Sequence, residues 1–175
     1  MTPRWGGTID DDWYPWIDAL VPGVERVPLP EPDAPTIASC VDAFGAALAK
    51  GDAASTICVG HSVSCQGWLH ALAAQGTSVA ALVCVAGWWT VDEPWPTIQP
   101  WIDAAHDLDA LRARAPHVRV LVSDDDPFTA DTSANAALWR ERLDARVTIV
   151  PGAKHFNRAE EPTVLAVLEA LRAQV

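Results

Sequence analysis

Apolar residues fall into two patterns that alternate along this chain. Short apolar runs occupy residues 56–61, 79–86, 118–123 and 147–150, each too short for a helix and bounded by turn residues. Residues 79–86 are eight apolar positions without a charge, which suits a strand covered on both faces. Between these runs the apolar positions recur at helical spacing. Trp13, Trp16, Ile17 and Leu20 follow Asp10, Asp11 and Asp12, acidic residues that suit a helix start. Ile37, Val41, Phe44 and Leu48 form one face of a helix over 36–49, and Trp68, Leu69 and Leu72 the buried side of one over 65–74. Further helices are predicted over 129–143 and 162–173, with one or two short ones within 101–114. Pro162 falls in a first turn, where its missing N–H costs nothing. Residues 24–29 read as a short strand ended by a cluster of prolines, whereas the four residues before Trp5 are too short and polar to be a convincing one. Strands that alternate with helices predict an α/β fold, a mostly parallel sheet with helices on both sides, in one domain over residues 1–175.

Composition narrows the function classes. Half of the residues are apolar and mean hydropathy is near zero, as in a globular chain. No apolar run reaches the roughly 20 residues of a membrane span, and no basic-then-apolar leader opens the chain. A formal net charge of −11, with lysine only at positions 50 and 154, argues against nucleic acid and anionic membranes as partners. Cys40, Cys58, Cys65 and Cys84 lie singly, without metal-type spacing, and read as reduced thiols of a cytoplasmic protein. Neither a metal nor another cofactor is expected.

Chemistry is expected at the carboxyl ends of the strands, where parallel sheets bind ligands. The run 56–61 ends at Gly60-His61-Ser62, and a strand, a sharp turn carrying serine and a helix make the setting of a nucleophile elbow. Gly60 leaves room for the turn; the small residue expected two places after the serine is Ser64. Asp124-Asp125-Asp126-Pro127 follows the third run, and Gly152-Ala153-Lys154-His155 the fourth. Serine, aspartate and histidine in this order, each after a strand, are the chain order of α/β-hydrolases. Ser62 would be the nucleophile, His155 its general base and Asp126, restricted by Pro127, the carboxylate that orients the imidazole. Asp124 and Asp125 read as solvated loop residues or turn acceptors. His61 sits beside the serine and cannot reach around to act as its base. The amide of Val63, with that of Trp5 or Gly6, would form the oxyanion hole.

Trp5-Gly6-Gly7-Thr8 with Trp13 and Trp16, Gly60-His61-Ser62, Asp124 to Phe128 and Gly152 to Asn157 span almost the whole chain. In these pieces it resembles the retinoblastoma-binding-protein-9 family of small serine hydrolases. The resemblance implies a minimal, flavodoxin-like α/β-hydrolase, a three-layer sandwich without a large cap domain or cofactor. It places the triad on Ser62, Asp126 and His155. Two departures stand out: Ser64 in the elbow, and an apolar first strand reduced to the four residues before Trp5. The second leaves three readings, namely a native start further upstream, a stunted strand, or a weakened sheet with two exposed edges.

Of the nine tryptophans, Trp13, Trp16, Trp68 and Trp139 are placed in the core by their helical spacing. Trp88 and Trp89, just after the long apolar run, are candidates to line an acyl or leaving-group pocket, with Trp95 and Trp101 in the loop that follows. The function expected is hydrolysis of small carboxylic esters, with amides as a further substrate class, through an acyl-enzyme. The substrate would be a small acyl compound. A non-catalytic interaction module on a hydrolase fold is the alternative; a nucleotide binder is disfavoured because no glycine-rich phosphate loop is present.

Overall fold

The computed structural model describes residues 1–174. Its elements run α1 (Tyr14–Leu20), α2 (Ile37–Leu48), β1 (Ile57–His61), α3 (Val63–Gln75), β2 (Ala81–Val85), α4 (Gln99–Asp103), α5 (Leu108–Arg114), β3 (Val118–Ser123), α6 (Thr132–Leu143), β4 (Arg146–Val150) and α7 (Pro162–Arg172). The four strands pair in parallel in the order β1-β2-β3-β4. His61 stands opposite Val85, Val85 opposite Leu121, and Ser123 opposite Val150, so the strands end side by side and their loops open on one edge.

Strand alternation divides the core into two layers. Cys58, Leu82, Cys84, Val118, Val120 and Val122 face α2, α3, α5 and α6. Val59, Ala81, Val83, Val85 and Leu121 face α1 and α7 through Trp13, Ile17, Val164 and Leu168. The result is a three-layer α/β sandwich with β2 buried along its whole length. On the outer edge, β4 is half exposed, in keeping with its arginine and threonine.

Local chemistry sets the helix boundaries. Thr36 and Ser39 make a reciprocal capping box at the start of α2. The side chain of Asp131 caps Ala134, so α6 begins at Thr132, three residues later than the apolar spacing predicts. In α1 the buried face is Tyr14 and Ile17, with Trp13 just ahead; Leu20 is exposed. No helix among the described residues is long and apolar enough to cross a membrane.

The residues before Trp5 form a single bridge and not a longer strand, the stunted form among the three readings, whereas the strand expected further on is absent. Thr2 forms a parallel bridge to Gly60, donating from its amide to Val59 O at 2.9 Å and accepting from His61 N at 3.2 Å. The strand expected over 24–29 does not form: Val27 N donates to Met1 O at 2.8 Å, and no ladder continues from it. Its neighbour contributes too few residues to pair with, and Pro3, Pro28 and Pro30 have no N–H to give. Beside the first residues of β1 lies a cavity of about 470 Å³, bordered by Met1, Val27, Leu48, Ile57 and Trp68. Burial lowers the pKa of the Met1 ammonium to about 6, although it donates to Glu25 O at 2.8 Å.

Candidate active site

Ser62 joins the end of β1 to the first turn of α3 with φ 56° and ψ −121°, a conformation that side-chain-bearing residues seldom adopt. Ser62 N donates to Val85 O at 2.8 Å, which pins the turn to β2. Gly60 permits the sharp path: a Cβ there would lie 2.7 Å from Cys65 N and 2.8 Å from Ser64 C and O. Ser64, in place of the small glycine, is fully buried, and its hydroxyl donates to Pro3 O at 2.5 Å. The hydroxyl is therefore satisfied, and it ties α3 to the N-terminal segment.

His155 follows β4 in a loop held by the aspartate cluster after β3. Its Nδ1 lies 2.9 and 3.1 Å from the two carboxylate oxygens of Asp126, and the two side chains are 8% and 7% exposed. A carboxylate can only accept, so Nδ1 carries the proton and Nε2 is left unprotonated in the neutral ring. Asp126 also accepts from Phe128 N at 3.0 Å, a turn closed around Pro127. Asp124 and Asp125 are exposed loop residues that act as acceptors. Asp124 accepts from Gly152 N at 2.8 Å, and Asp125 from Lys154 N at 2.7 Å and Ser123 Oγ at 2.6 Å. Together they clamp the loop that carries His155.

His61 is completely buried behind the same loop. Its Nε2 faces His155 O at 2.8 Å and must donate, so Nδ1 accepts from the Tyr14 hydroxyl at 2.6 Å. Tyr14 Oη in turn accepts from Arg4 N at 3.0 Å, and Trp13 Nε1 donates to Phe156 O at 3.0 Å. The start of α1 thus holds both the N-terminal segment and the histidine loop.

Burial first, and the neighbouring His155 second, keep the pKa of His61 well below the ordinary 6.5. The unfolded chain takes up a proton there as pH falls through 6.5 while the folded protein does not, so the stability that neutral His61 contributes is full above that pH and lost below it. Urea unfolding at a series of pH values checks this. Between about pH 6 and pH 5 the slope of unfolding free energy for wild type should exceed that for His61→Gln by about 1.4 kcal/mol per pH unit. Parallel curves would contradict it.

Ser62 and His155 line one cavity of about 380 Å³, with Arg4, Trp5, Val63, Trp88, Val91, Trp95, Ile98, Phe128 and Asn157. An aromatic wall runs from Trp5 to Trp95 (5.4 Å between centroids), to Phe128 (6.2 Å) and to His155 (4.7 Å). Two expectations need correction. Gly6 N donates to Pro32 O at 2.7 Å and cannot serve an oxyanion, whereas the amides of Trp5 and Val63 make no hydrogen bond among the described residues. Trp89 lies outside the cavity: it packs on Trp139 and His106 beneath the Arg142 guanidinium. Trp101 is core as well, its Nε1 donating to Pro35 O at 3.1 Å. Arg4, Val91, Ile98 and Asn157 were not foreseen; they reach the cavity through long-range packing that leaves no periodic trace in the sequence.

A parallel sheet between helical layers, with serine, aspartate and histidine in the loops at its carboxyl edge, defines the α/β-hydrolase class. The chain belongs to the serine hydrolase family, whose model matches residues 1–168. Among solved structures, it is similar to the ydeN gene product from B. subtilis (22% identity, covering 98% of this chain and 96% of that one, TM-score 0.83). It is also similar to a candidate YdeN-like hydrolase from Pectobacterium atrosepticum (21%, 98% and 88%, 0.72). A third is a carboxylesterase structure from the thaumarchaeon Nitrososphaera gargenis (13%, 100% and 90%, 0.70). At these identities the likeness is one of fold. No curated protein matches the chain.

Proposed function

We propose that the protein hydrolyses small carboxylic esters through an acyl-enzyme, with Ser62 as nucleophile, His155 as base and Asp126 as the orienting carboxylate. One observation carries the reading: Ser62 and His155 open on the same cavity, and the buried Asp126 holds His155 by the nitrogen that Ser62 would not need. In the first step Ser62 Oγ attacks the acyl carbon while His155 Nε2 takes the hydroxyl proton; Asp126 stabilises the imidazolium. The oxyanion would be met by the amides of Val63 and Trp5, of which the first also lies at the start of α3. His155 then gives its proton to the departing alkoxide. Water, deprotonated by the same nitrogen, releases the acid and restores Ser62.

The aromatic lining favours a substrate with an apolar body, and ordinary ester hydrolysis needs no cofactor. The finer placement beside the retinoblastoma-binding-protein-9 family rests on the motif pieces, and the small number of elements outside the sheet and its helices supports it. A single domain acting on a small molecule in the cytoplasm is part of the same reading.

Turnover of para-nitrophenyl esters from acetate to octanoate tests it. Wild type should release para-nitrophenol from the short esters, and Trp88→Ala should move the preference toward longer chains by about tenfold in relative kcat/KM. No turnover by a folded protein contradicts the reading, and an unchanged chain-length profile removes Trp88 from the pocket.

A further inference from the structure

Resting on the esterase reading, we infer that the cavity selects esters bearing a carboxylate, which Arg4 receives. Among the described residues Arg4 is the only one of the lining with a permanent charge; the rest of it, apart from Ser62, His155 and Asn157, is apolar or aromatic. The sequence places it directly before Trp5, whose amide is one of the two proposed oxyanion donors, so a bound carboxylate lies close to the reacting ester.

The guanidinium is held in place and still has donors to offer. Its Nε donates to Asp12 Oδ2 at 2.8 Å, and its Nη1 to Trp5 O at 3.2 Å. A guanidinium has five N–H groups, and no protein acceptor among the described residues takes those of Nη2. Asp12, with its side chain only 6% exposed and its backbone at φ 48°, also accepts from Asn157 Nδ2 at 3.3 Å. Arg4 itself stays 28% exposed. A part-buried guanidinium braced at Nε and Nη1, with Nη2 left to donate, suits a carboxylate oxygen, to which it adds charge-assisted hydrogen bonds. One guanidinium already shared with Asp12 suits a single negative charge better than a phosphate's two. With a protein charge of −11 around it, Arg4 is the local feature that lets an anion approach Ser62.

Two pairs of esters test this: mono-para-nitrophenyl glutarate against para-nitrophenyl pentanoate, with the carboxylate on the acyl side, and para-acetoxybenzoate against its methyl ester, with the carboxylate on the alcohol side. For wild type, Arg4→Gln and Arg4→Lys, the quantity read is the ratio of kcat/KM for the anionic over the neutral ester of each pair, so intrinsic reactivity cancels between variants. In at least one pair the ratio should fall about tenfold in Arg4→Gln and less in Arg4→Lys. The wild-type ratio in that pair should also decline as salt is raised from about 0.05 M to about 0.5 M, and this reading needs no variant to fold. Ratios that do not move, because both esters of each pair slow together or neither changes, assign Arg4 to bracing the N-terminal segment and overturn the inference. A wild type that cleaves the neutral esters but shows no salt-dependent ratio overturns it while the esterase reading stands. A wild type that cleaves none of the four overturns both.

Discussion

Ser62→Ala should lower kcat for ester hydrolysis by about 10⁴-fold or more and leave the protein folded. The two halves of this outcome have separate causes. In the proposed mechanism no acyl-enzyme can form without Oγ, and His155 has no hydroxyl proton to take. Structurally the change is slight: Ser62 Oγ makes no hydrogen bond among the described residues, and the turn is pinned by the Ser62 amide on Val85 O, which alanine keeps. Alanine meets the same φ of 56° as serine, so the backbone strain is unaltered. Steady-state kinetics on a short ester, together with thermal melts of both proteins, check the prediction. Residual turnover near the wild-type rate would remove Ser62 from the mechanism; a collapse in melting temperature would show that the hydroxyl supports the turn.

Gly60→Ala should be among the most damaging single substitutions of the chain, destabilising it by about 3 kcal/mol and disabling the site with it. The added methyl would stand 2.7–2.8 Å from Cys65 N and from the carbonyl group of Ser64, all backbone atoms in the first turn of α3. Backbone cannot rotate aside as a side chain can. The helix must shift, and with it Ser62 and the Val63 amide. Gly152→Ala is the control: its φ of 65° strains alanine, but nothing lies within 4 Å of the new methyl, so the cost should stay near 1 kcal/mol. Urea denaturation of the two variants separates these effects, and equal losses would contradict the close-approach explanation.

The sheet was legible because buried parallel strands leave apolar runs, continuous at Ala81–Val85 and interrupted only by Arg119 over 118–122. The same holds for the loops after them: once the strands are placed, Ser62, Asp126 and His155 fall on one edge of the sheet. Less legible were features that depend on partners distant in sequence. Nothing near Gly6 shows that its amide goes to Pro32 O, and nothing near Asp124 or Asp125 shows that they clamp residues 152–154. His61 could be excluded as a base from its position, yet its part in holding the His155 carbonyl required Tyr14, 47 residues away. Trp88 and Trp89 are neighbours in sequence, and what separates them is the packing of Trp89 on Trp139 and His106, partners distant along the chain. At the N-terminus, Thr2 pairs with β1 through its backbone and through its hydroxyl, which donates to Val59 O at 3.1 Å; one polar residue in a single bridge leaves no apolar run to read as a strand.

The central claim is that Ser62 is an activated nucleophile served by His155. Intact-mass analysis after treatment with a fluorophosphonate tests it most directly, on wild type, Ser62→Ala and His155→Ala, each first shown to be folded by circular dichroism. One adduct on wild type, none on Ser62→Ala and a much slower one on His155→Ala is the predicted result. A folded wild type that takes no adduct, or an adduct that persists in Ser62→Ala, would contradict it.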